Sequence, residues 1–279
     1  MTYKLLWHDG SIMVVGCGGT GGFVAEGLCR MAPVRRLILV DHDRVERRNI
    51  GRQNFYEGDL GRFKSQALAE RLAWRFNKEV EFSTARIEEL GLGWRGMLTI
   101  GCVDNPGARR RLQYTSDGRP YFYGYIREHS YQHIGGWYID AGNGEHHGQV
   151  LIGNSFDYEL NRAFSPAGGM CLKLPLPTLQ QPSLLAPSPD APRRDCAEAV
   201  AADEQSPVIN QMMAGLVLTF VHKLLTGTLT WMAAYIDLES GSLSTVDATP
   251  EAVARITGHT LRQLEYRPRP ERVRVRVRA

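Results

Sequence analysis

The clearest structural signal in this sequence is the stretch Ser11-Ile-Met-Val-Val-Gly-Cys-Gly-Gly-Thr-Gly-Gly22. An apolar run opens into a cluster of glycines, and residues 23–31 continue with apolar side chains at helical spacing. The pattern predicts a strand, a glycine loop and a helix. Residues without a Cβ atom permit a tight turn and let backbone N–H groups approach phosphate oxygens at the positive end of a helix. The candidate phosphate-binding residues are Gly16, Gly18, Gly19 and Gly21.

Two further strands are predicted to end in carboxylates. The run Arg36-Leu-Ile-Leu-Val-Asp41 is typical of a buried parallel strand, and Met97 to Asp104 is typical of another. Asp41 lies about 20 residues past the glycine loop, where a dinucleotide-type fold places a carboxylate against ribose hydroxyls. Because ligands of open parallel sheets bind at the carboxyl ends of the strands, we expect a nucleotide site at this edge. A glycine loop that serves packing alone is the alternative.

The remaining pattern predicts an α/β, Rossmann-like fold, with a mainly parallel sheet flanked by helices and an added antiparallel C-terminal portion. Helices are expected at 59–77, with Asp59 as cap, and at 206–225; strands are expected near 121–125, 136–141 and 148–152, and a hairpin at 229–238 and 242–246. We expect one domain, 1–266, which contains a proline-rich crossover loop, 172–195, and is followed by a basic low-complexity tail, 267–279.

Composition and charge exclude several classes of protein. An apolar content of 43% supports a sizeable core, and the longest apolar stretches are too short to span a bilayer, so we expect no membrane association and a cytoplasmic location. The five cysteines form no C-x-x-C pair, which argues against a four-cysteine zinc site. The tail, with six arginines and one glutamate, carries +5, so the body carries −2 of the net +3. Nucleic-acid binding therefore depends on the tail, which can equally form an edge strand.

A polar cluster follows Asp41 along the chain. Asn49, Arg52 and Gln53 lie in one short segment, and Lys64 follows at the start of a predicted helix. A dinucleotide dehydrogenase has no need for such a set. An enzyme in which a carboxylate attacks the α-phosphate of ATP needs it, because the charge of the phosphates must be neutralised. Solvated surface charge is the alternative interpretation of Arg52 and Lys64 taken singly.

The motifs resemble one family when they are taken in order. G-x-G-G-x-G, D-x-D-x-V, N-x-x-R-Q, G-x-x-K and C-x-D-N, over about residues 11 to 110, resemble the ThiF/MoeB superfamily of ubiquitin-like-protein activating enzymes. Within it, four segments most resemble the ThiF-family member of the PRTRC gene system: Asn49-Ile-Gly-Arg-Gln, Cys102-Val-Asp-Asn, Gly148-Gln-Val-Leu-Ile-Gly and Cys196-Ala-Glu-Ala. The resemblance implies an adenylyltransferase that uses ATP and Mg²⁺ to activate the C-terminal carboxylate of a ubiquitin-like protein and releases pyrophosphate.

The resemblance also implies roles for individual residues. Asp41 would hold the ribose, and Asn49, Arg52 and Lys64 would hold the triphosphate. Gln53 would help to place the nucleotide or the incoming peptide terminus. Asp104 would bind Mg²⁺, which fits the preference of this ion for carboxylate and phosphate oxygens. A helix cap is the alternative for Asp104, since Asn105-Pro106 also suggests a helix start.

Cys196 is the candidate for a covalent step. Family members that form a thioester with their protein substrate carry a cysteine in this kind of crossover segment, and the adjacent Arg193 and Arg194 would favour the thiolate. A packing role is the alternative, because isolated cysteines are usually small core residues and many relatives adenylate without one. We interpret Cys17, Cys29 and Cys102 as packing residues.

Partners follow from the resemblance only. It implies a ubiquitin-like protein substrate, a homodimer and, if the acyl group is passed on, a downstream conjugating enzyme. The sequence lacks the R-Y-x-R-Q segment with which many bacterial relatives send an arginine into a neighbour's active site, so that arginine is not carried over.

The rival functions are a NAD- or FAD-dependent oxidoreductase, a catalytically idle binding scaffold, and adenylation of another acceptor such as a modified nucleoside. The first leaves Arg52, Lys64 and Asp104 without a role.

Overall fold

The computed structural model describes residues 11–90, 98–113, 136–164, 173–186 and 207–265. The strand predicted near 121–125, the end of the proline-rich loop from residue 187 and the basic tail lie outside these ranges. Cys171 and Cys196 lie outside them too.

The described strands form one mixed sheet. They are β1 (Ser11–Val15), β2 (Arg36–Val40), β3 (Glu79–Ser83), β4 (Leu98–Gly101), β5 (Trp137–Asn143), β6 (His147–Gly153), β7 (Trp231–Asp237) and β8 (Ser242–Asp247). Their order across the sheet is β3-β2-β1-β4-β5-β6-β7-β8. The pairs from β3 to β5 are parallel and those from β5 to β8 are antiparallel. This arrangement confirms the predicted fold class, including the antiparallel C-terminal portion.

Seven α-helices accompany the sheet in the described ranges. They are α1 (Gly19–Cys29), α2 (Lys64–Phe76), α3 (Pro106–Gln113), α4 (Pro177–Gln180), α5 (Pro207–Thr226), α6 (Pro250–Thr257) and α7 (Leu261–Leu264). The strands alternate their side chains between two cores, because successive residues of a strand point to opposite faces. Ile12 and Val14 pack with residues of α1, α2 and α5, whereas Met13 and Val15 pack with residues of α3.

The start of α2 corrects one prediction. The sequence suggested a helix from Asp59, with Asp59 as its cap, but α2 begins at Lys64. Asp59 instead ends a short 3-10 turn, where its Oδ2 atom accepts a hydrogen bond from the Tyr56 backbone at 3.1 Å. Gly61, at φ +78°, then turns the chain before the helix starts. The cap prediction was wrong because a separate turn uses the Asp59 carboxylate.

Helix α5 is longer than the apolar run seen in the sequence. In the described part of the chain, it is the one helix whose length and hydropathy would suffice to cross a membrane, over Val208–Thr226. More than half of this stretch is buried against the rest of the protein. Ile209, Met213 and Phe220 are fully buried in the core that covers one face of the sheet. Core packing therefore accounts for the apolar character of α5.

Candidate active site

A cavity of about 720 Å³ lies over the carboxyl ends of the parallel strands. Its lining includes residues at or just beyond the ends of four neighbouring strands: Gly16 after β1, Asp41 after β2, Asp104 after β4 and Gly142 in β5. From β1 the chain adds β2 and β3 on one side and then adds β4 on the other side of β1. The cavity therefore lies at a topological switch point of the sheet. The sequence predicted a ligand site at this edge.

The glycine loop forms one wall of the cavity. Gly16, Gly18 and Gly19 line it, and α1 begins at Gly19. Gly16 has φ +86°, and a Cβ atom there would lie 2.4 Å from the Cys102 carbonyl oxygen, so only glycine fits. Gly21 does not line the cavity; it is buried in the first turn of α1. The loop therefore presents backbone to the cavity at the N-terminus of a helix of 11 residues.

Asp41 is tied to the glycine loop. One carboxylate oxygen accepts the backbone N–H of Cys17 at 2.6 Å, and the other accepts that of Asp43 at 2.8 Å. The side chain is nearly buried, and this burial raises the pKa of Asp41, while the two N–H donors and Lys64 act in the opposite direction. Each carboxylate oxygen can accept a second hydrogen bond, so Asp41 can still receive hydroxyl donors from the cavity.

The cluster that follows Asp41 converges on the same cavity, which Asn49, Arg52, Gln53 and Lys64 all line. Lys64 is buried, with 8% of its surface exposed, and its Nζ atom lies 3.0 Å from Asp43 Oδ2. This burial excludes a merely solvated charge. Asn49 is buried as well, and its Oδ1 atom accepts the Glu46 backbone N–H at 2.9 Å. Arg52 is partly exposed, and its Nε atom donates to the Arg48 carbonyl at 3.3 Å.

Gln53 carries a buried polar atom that lacks a partner. Its Oε1 atom is shielded from solvent and accepts no hydrogen bond from the described residues. Buried polar atoms are nearly always paired in native proteins, because an unpaired one costs about 1–3 kcal/mol. Since Gln53 lines the cavity, its orphaned oxygen fits a site whose ligand supplies the missing donor.

Asp104 is exposed at the mouth of the cavity and follows β4. The neighbouring Asn105 caps α3, because its Oδ1 atom accepts the Ala108 backbone N–H at 2.7 Å. The cap that the sequence offered as an alternative for Asp104 is therefore made by Asn105. This leaves the Asp104 carboxylate at the cavity as an oxygen ligand of the kind that Mg²⁺ prefers.

A buried charge network lies beneath the site. Asp140, fully buried in β5, accepts a hydrogen bond from the Tyr138 hydroxyl at 2.6 Å and has its Oδ1 atom 3.3 Å from Arg109 Nε. Burial raises the pKa of Asp140, against the attraction of Arg109. Arg109 lines the cavity from α3. The network therefore brings a guanidinium to the cavity whose positive charge is paired with the buried Asp140 carboxylate.

Arg109, Asn143 and Asn210 are polar cavity residues for which the sequence predicted no role. Arg109 follows Asp104 by five positions, and Asn143 ends the Asp140-Ala-Gly-Asn motif, so local spacing offered a weak signal for both. The sequence gave no signal for Asn210 in α5, because this residue reaches the site only through contacts that are distant in sequence.

Cys102 also lines the cavity, while Cys17 and Cys29 are buried. Burial raises the pKa of Cys17 and raises that of Cys29 to about 11 and that of Cys102 to about 12.

Several curated proteins are similar to part of the chain. It is 35% identical over 119 residues to ubiquitin-like modifier-activating enzyme 5 of Dictyostelium discoideum, which covers 37% of this chain and 31% of that protein. It is 44% identical over 105 residues to the adenylyltransferase and sulfurtransferase MOCS3 of Mus musculus, which covers 36% of this chain and 22% of that protein. The chain thus spans less than a third of the length of these relatives.

Solved structures share the fold. A structure of E. coli MccB with ATP matches with a TM-score of 0.53 at 16% identity, over 85% of this chain and 63% of that one. PaaA matches with a TM-score of 0.53 at 20% identity over the same shares. The sequence profile of the ThiF family matches residues 5–256, which is most of the chain. This match identifies the chain as a member of the ThiF family.

Proposed function

We propose that the chain adenylates the C-terminal carboxylate of a ubiquitin-like protein, with ATP as the second substrate. The observation that carries the proposal is the convergence of Arg52, Lys64 and Asp104 on one cavity beside the glycine loop. An oxidoreductase that binds a nicotinamide or flavin would leave these three residues without a task. The names of the relatives support the same class of reaction, because they include a modifier-activating enzyme and an adenylyltransferase.

The cavity offers complementary groups for ATP along its length. Asp41 would accept the ribose hydroxyls through the lone pairs that its backbone donors leave unused. The backbone of the glycine loop, Arg52 and Lys64 would bind the phosphates. Gln53 Oε1 would accept a donor from the nucleotide or from the incoming peptide, which would satisfy this buried atom.

The residues present also fit a magnesium ion. Asp104 would hold it with one carboxylate oxygen, and the phosphates would supply further oxygen ligands. The ion would neutralise charge on the phosphates when bound. Asp43 is a poorer ligand, since it already pairs with Lys64.

The chemistry requires positioning more than proton transfer. An oxygen of the ionised terminal carboxylate attacks the α-phosphorus, the bond from that phosphorus to the bridging oxygen breaks, and pyrophosphate leaves. No side chain acts as a base, because the nucleophile carries its charge already. Arg52 and Lys64 stabilise the developing negative charge, and the cavity holds the two reactants in line.

Calorimetry with ATP and NAD tests the proposal. With Mg²⁺ present, ATP should bind with a micromolar dissociation constant, and NAD should bind at least about a hundredfold more weakly, because only ATP gives Arg52 and Lys64 a triphosphate. Tight NAD binding without ATP binding would favour the oxidoreductase.

The second test is exchange of labelled pyrophosphate into ATP with a panel of ubiquitin-like proteins. The control is the same proteins with an amidated C-terminus, which lack the nucleophile; exchange that persists with them would contradict the reaction.

We further propose that Cys196 takes the acyl group from the adenylate. Its thiolate would attack the acyl carbon, a thioester would form and AMP would leave. Cys196→Ala should then keep pyrophosphate exchange and lose the thiol-sensitive adduct with the protein substrate. An adduct that survives this substitution would remove the covalent role and leave adenylation untouched.

Alkylation gives an independent measurement of the same thiol. Iodoacetamide reacts with thiolates, and the raised pKa values of Cys17, Cys29 and Cys102 leave few of them at pH 8. Peptide mapping of the native chain should therefore show Cys196 modified at least about tenfold faster than these three. Equal rates would show that Cys196 has no special reactivity.

A further inference from the structure

Asn210 lies between the glycine loop, the Arg52 segment and the end of β5 at the cavity. It lies in the first turns of α5 and is fully buried. Its Nδ2 atom donates to the backbone carbonyl of Arg52 at 3.1 Å, across 158 positions of sequence. Its Oδ1 atom accepts from Asn143 Nδ2 at 3.3 Å, and Asn143 Oδ1 accepts the Thr20 hydroxyl at 3.0 Å. The chain of hydrogen bonds thus runs from the glycine loop to the Arg52 segment.

The Asn210 side chain has room only because residue 19 is a glycine. A Cβ atom at Gly19 would lie 2.4 Å from Asn210 Nδ2 and 2.5 Å from its Cγ and Oδ1 atoms. These distances are far below van der Waals contact, and the amide is held by hydrogen bonds on both sides. Gly19 therefore has a second requirement besides backbone approach to phosphate, which is room for the Asn210 side chain.

The geometry points to Asn210 as a positioning residue of the nucleotide site, and this inference rests on the proposed function. It does not act through contact with the reacting atoms. It fixes the backbone of Arg52 relative to the glycine loop, so that the guanidinium and the loop N–H groups bind the same phosphates. Arg52 follows a short 3-10 turn and Gly51, which has φ +98°. Because no helix or strand fixes the backbone there, the hydrogen bond from Asn210 holds the Arg52 carbonyl in place.

A double-mutant cycle on ATP binding tests the inference. Dissociation constants for Mg-ATP and for adenosine are measured by calorimetry for the wild-type chain, Asn210→Ala, Arg52→Ala and the double variant. One lost hydrogen bond to the backbone corresponds to about a tenfold change in affinity. Asn210→Ala should weaken ATP binding about tenfold and adenosine binding less than about twofold. When Arg52 is already alanine, the further loss should fall below about twofold, since Asn210 acts through Arg52.

Two more variants separate positioning from general loss of structure. Gln211→Ala changes an exposed neighbour on α5 and should leave ATP binding unchanged. Asn143→Ala removes the bond on the other side of the Asn210 amide, so it should weaken ATP binding in the same direction, and only when Arg52 is present. It serves as the second test if Asn210→Ala unfolds, which thermal unfolding would show.

The outcomes are distinct. Equal losses from Asn210→Ala with and without Arg52, or equal losses for ATP and adenosine, would overturn the positioning role and leave the proposed function standing. Unchanged ATP binding in Asn210→Ala, while Arg52→Ala is impaired, would overturn it as well. A wild-type chain that binds no ATP would overturn the proposed function and this inference together.

Discussion

Single residues at the strand ends differ in whether they face the cavity or stabilise the fold. Asp104 and Asn105 are adjacent, yet the first faces the cavity and the second caps α3. Asp104→Ala should therefore leave the midpoint of thermal unfolding unchanged and should remove the increase in ATP affinity that Mg²⁺ provides, which we expect to be about tenfold or more. Asn105→Ala should instead cost about 1 kcal/mol of stability through the lost cap. An Asp104→Ala chain that keeps its Mg²⁺ dependence would contradict the metal assignment.

The buried network of Tyr138, Asp140 and Arg109 should matter for stability at the residue scale. Asp140→Ala would leave the Arg109 charge without its carboxylate in a largely buried place, at a cost of about 3–5 kcal/mol. Tyr138→Phe removes one hydrogen bond to a charged group and should cost about 1.5–3 kcal/mol. Urea unfolding measures both. Equal stability of all three proteins would show that the network is dispensable.

Secondary-structure elements differ in how much room they leave around glycine. Gly215 lies on the exposed face of α5, and a Cβ atom there meets nothing within 4 Å, so Gly215→Ala should raise stability by roughly 0.5–1 kcal/mol. Gly153 ends β6, and a Cβ atom there would lie 2.0 Å from the Pro175 carbonyl oxygen. Gly153→Ala should therefore lower stability by about 1–3 kcal/mol. Thermal unfolding of the two variants should shift in opposite directions; a shift in the same direction would contradict this packing.

The elements that carry the site come from both halves of the sheet. The parallel half supplies the glycine loop, Asp41 and Asp104, whereas β5, β6 and α5 close the other side of the cavity. Asp41 follows β2, and Gly142 and Asn143 end β5, so two strands, β1 and β4, lie between these cavity residues in the sheet.

At the scale of the whole molecule, the charges of the tail and of the site are separable. The tail carries +5, and every residue assigned to the site lies before residue 267. Truncation after residue 266 should therefore leave the dissociation constant for Mg-ATP largely unchanged, because every residue assigned to the site is retained. Calorimetry of the truncated chain checks this. A large loss of ATP affinity would show that the tail belongs to the nucleotide site.

The sequence by itself determined the strand, glycine loop and helix, the sheet edge at which the cavity lies, the hairpin of β7 and β8 and the ordered motifs of the ThiF family. These features are local, because periodicity and glycine spacing act over a few residues. It gave no indication of β3, a short edge strand in which two glutamates alternate with apolar residues, and it misplaced the start of α2. Only the tertiary structure decided the burial of Lys64, the pairing of Arg109 with Asp140 and the place of Asn210. Those depend on contacts between distant segments, which packing creates and no local pattern encodes.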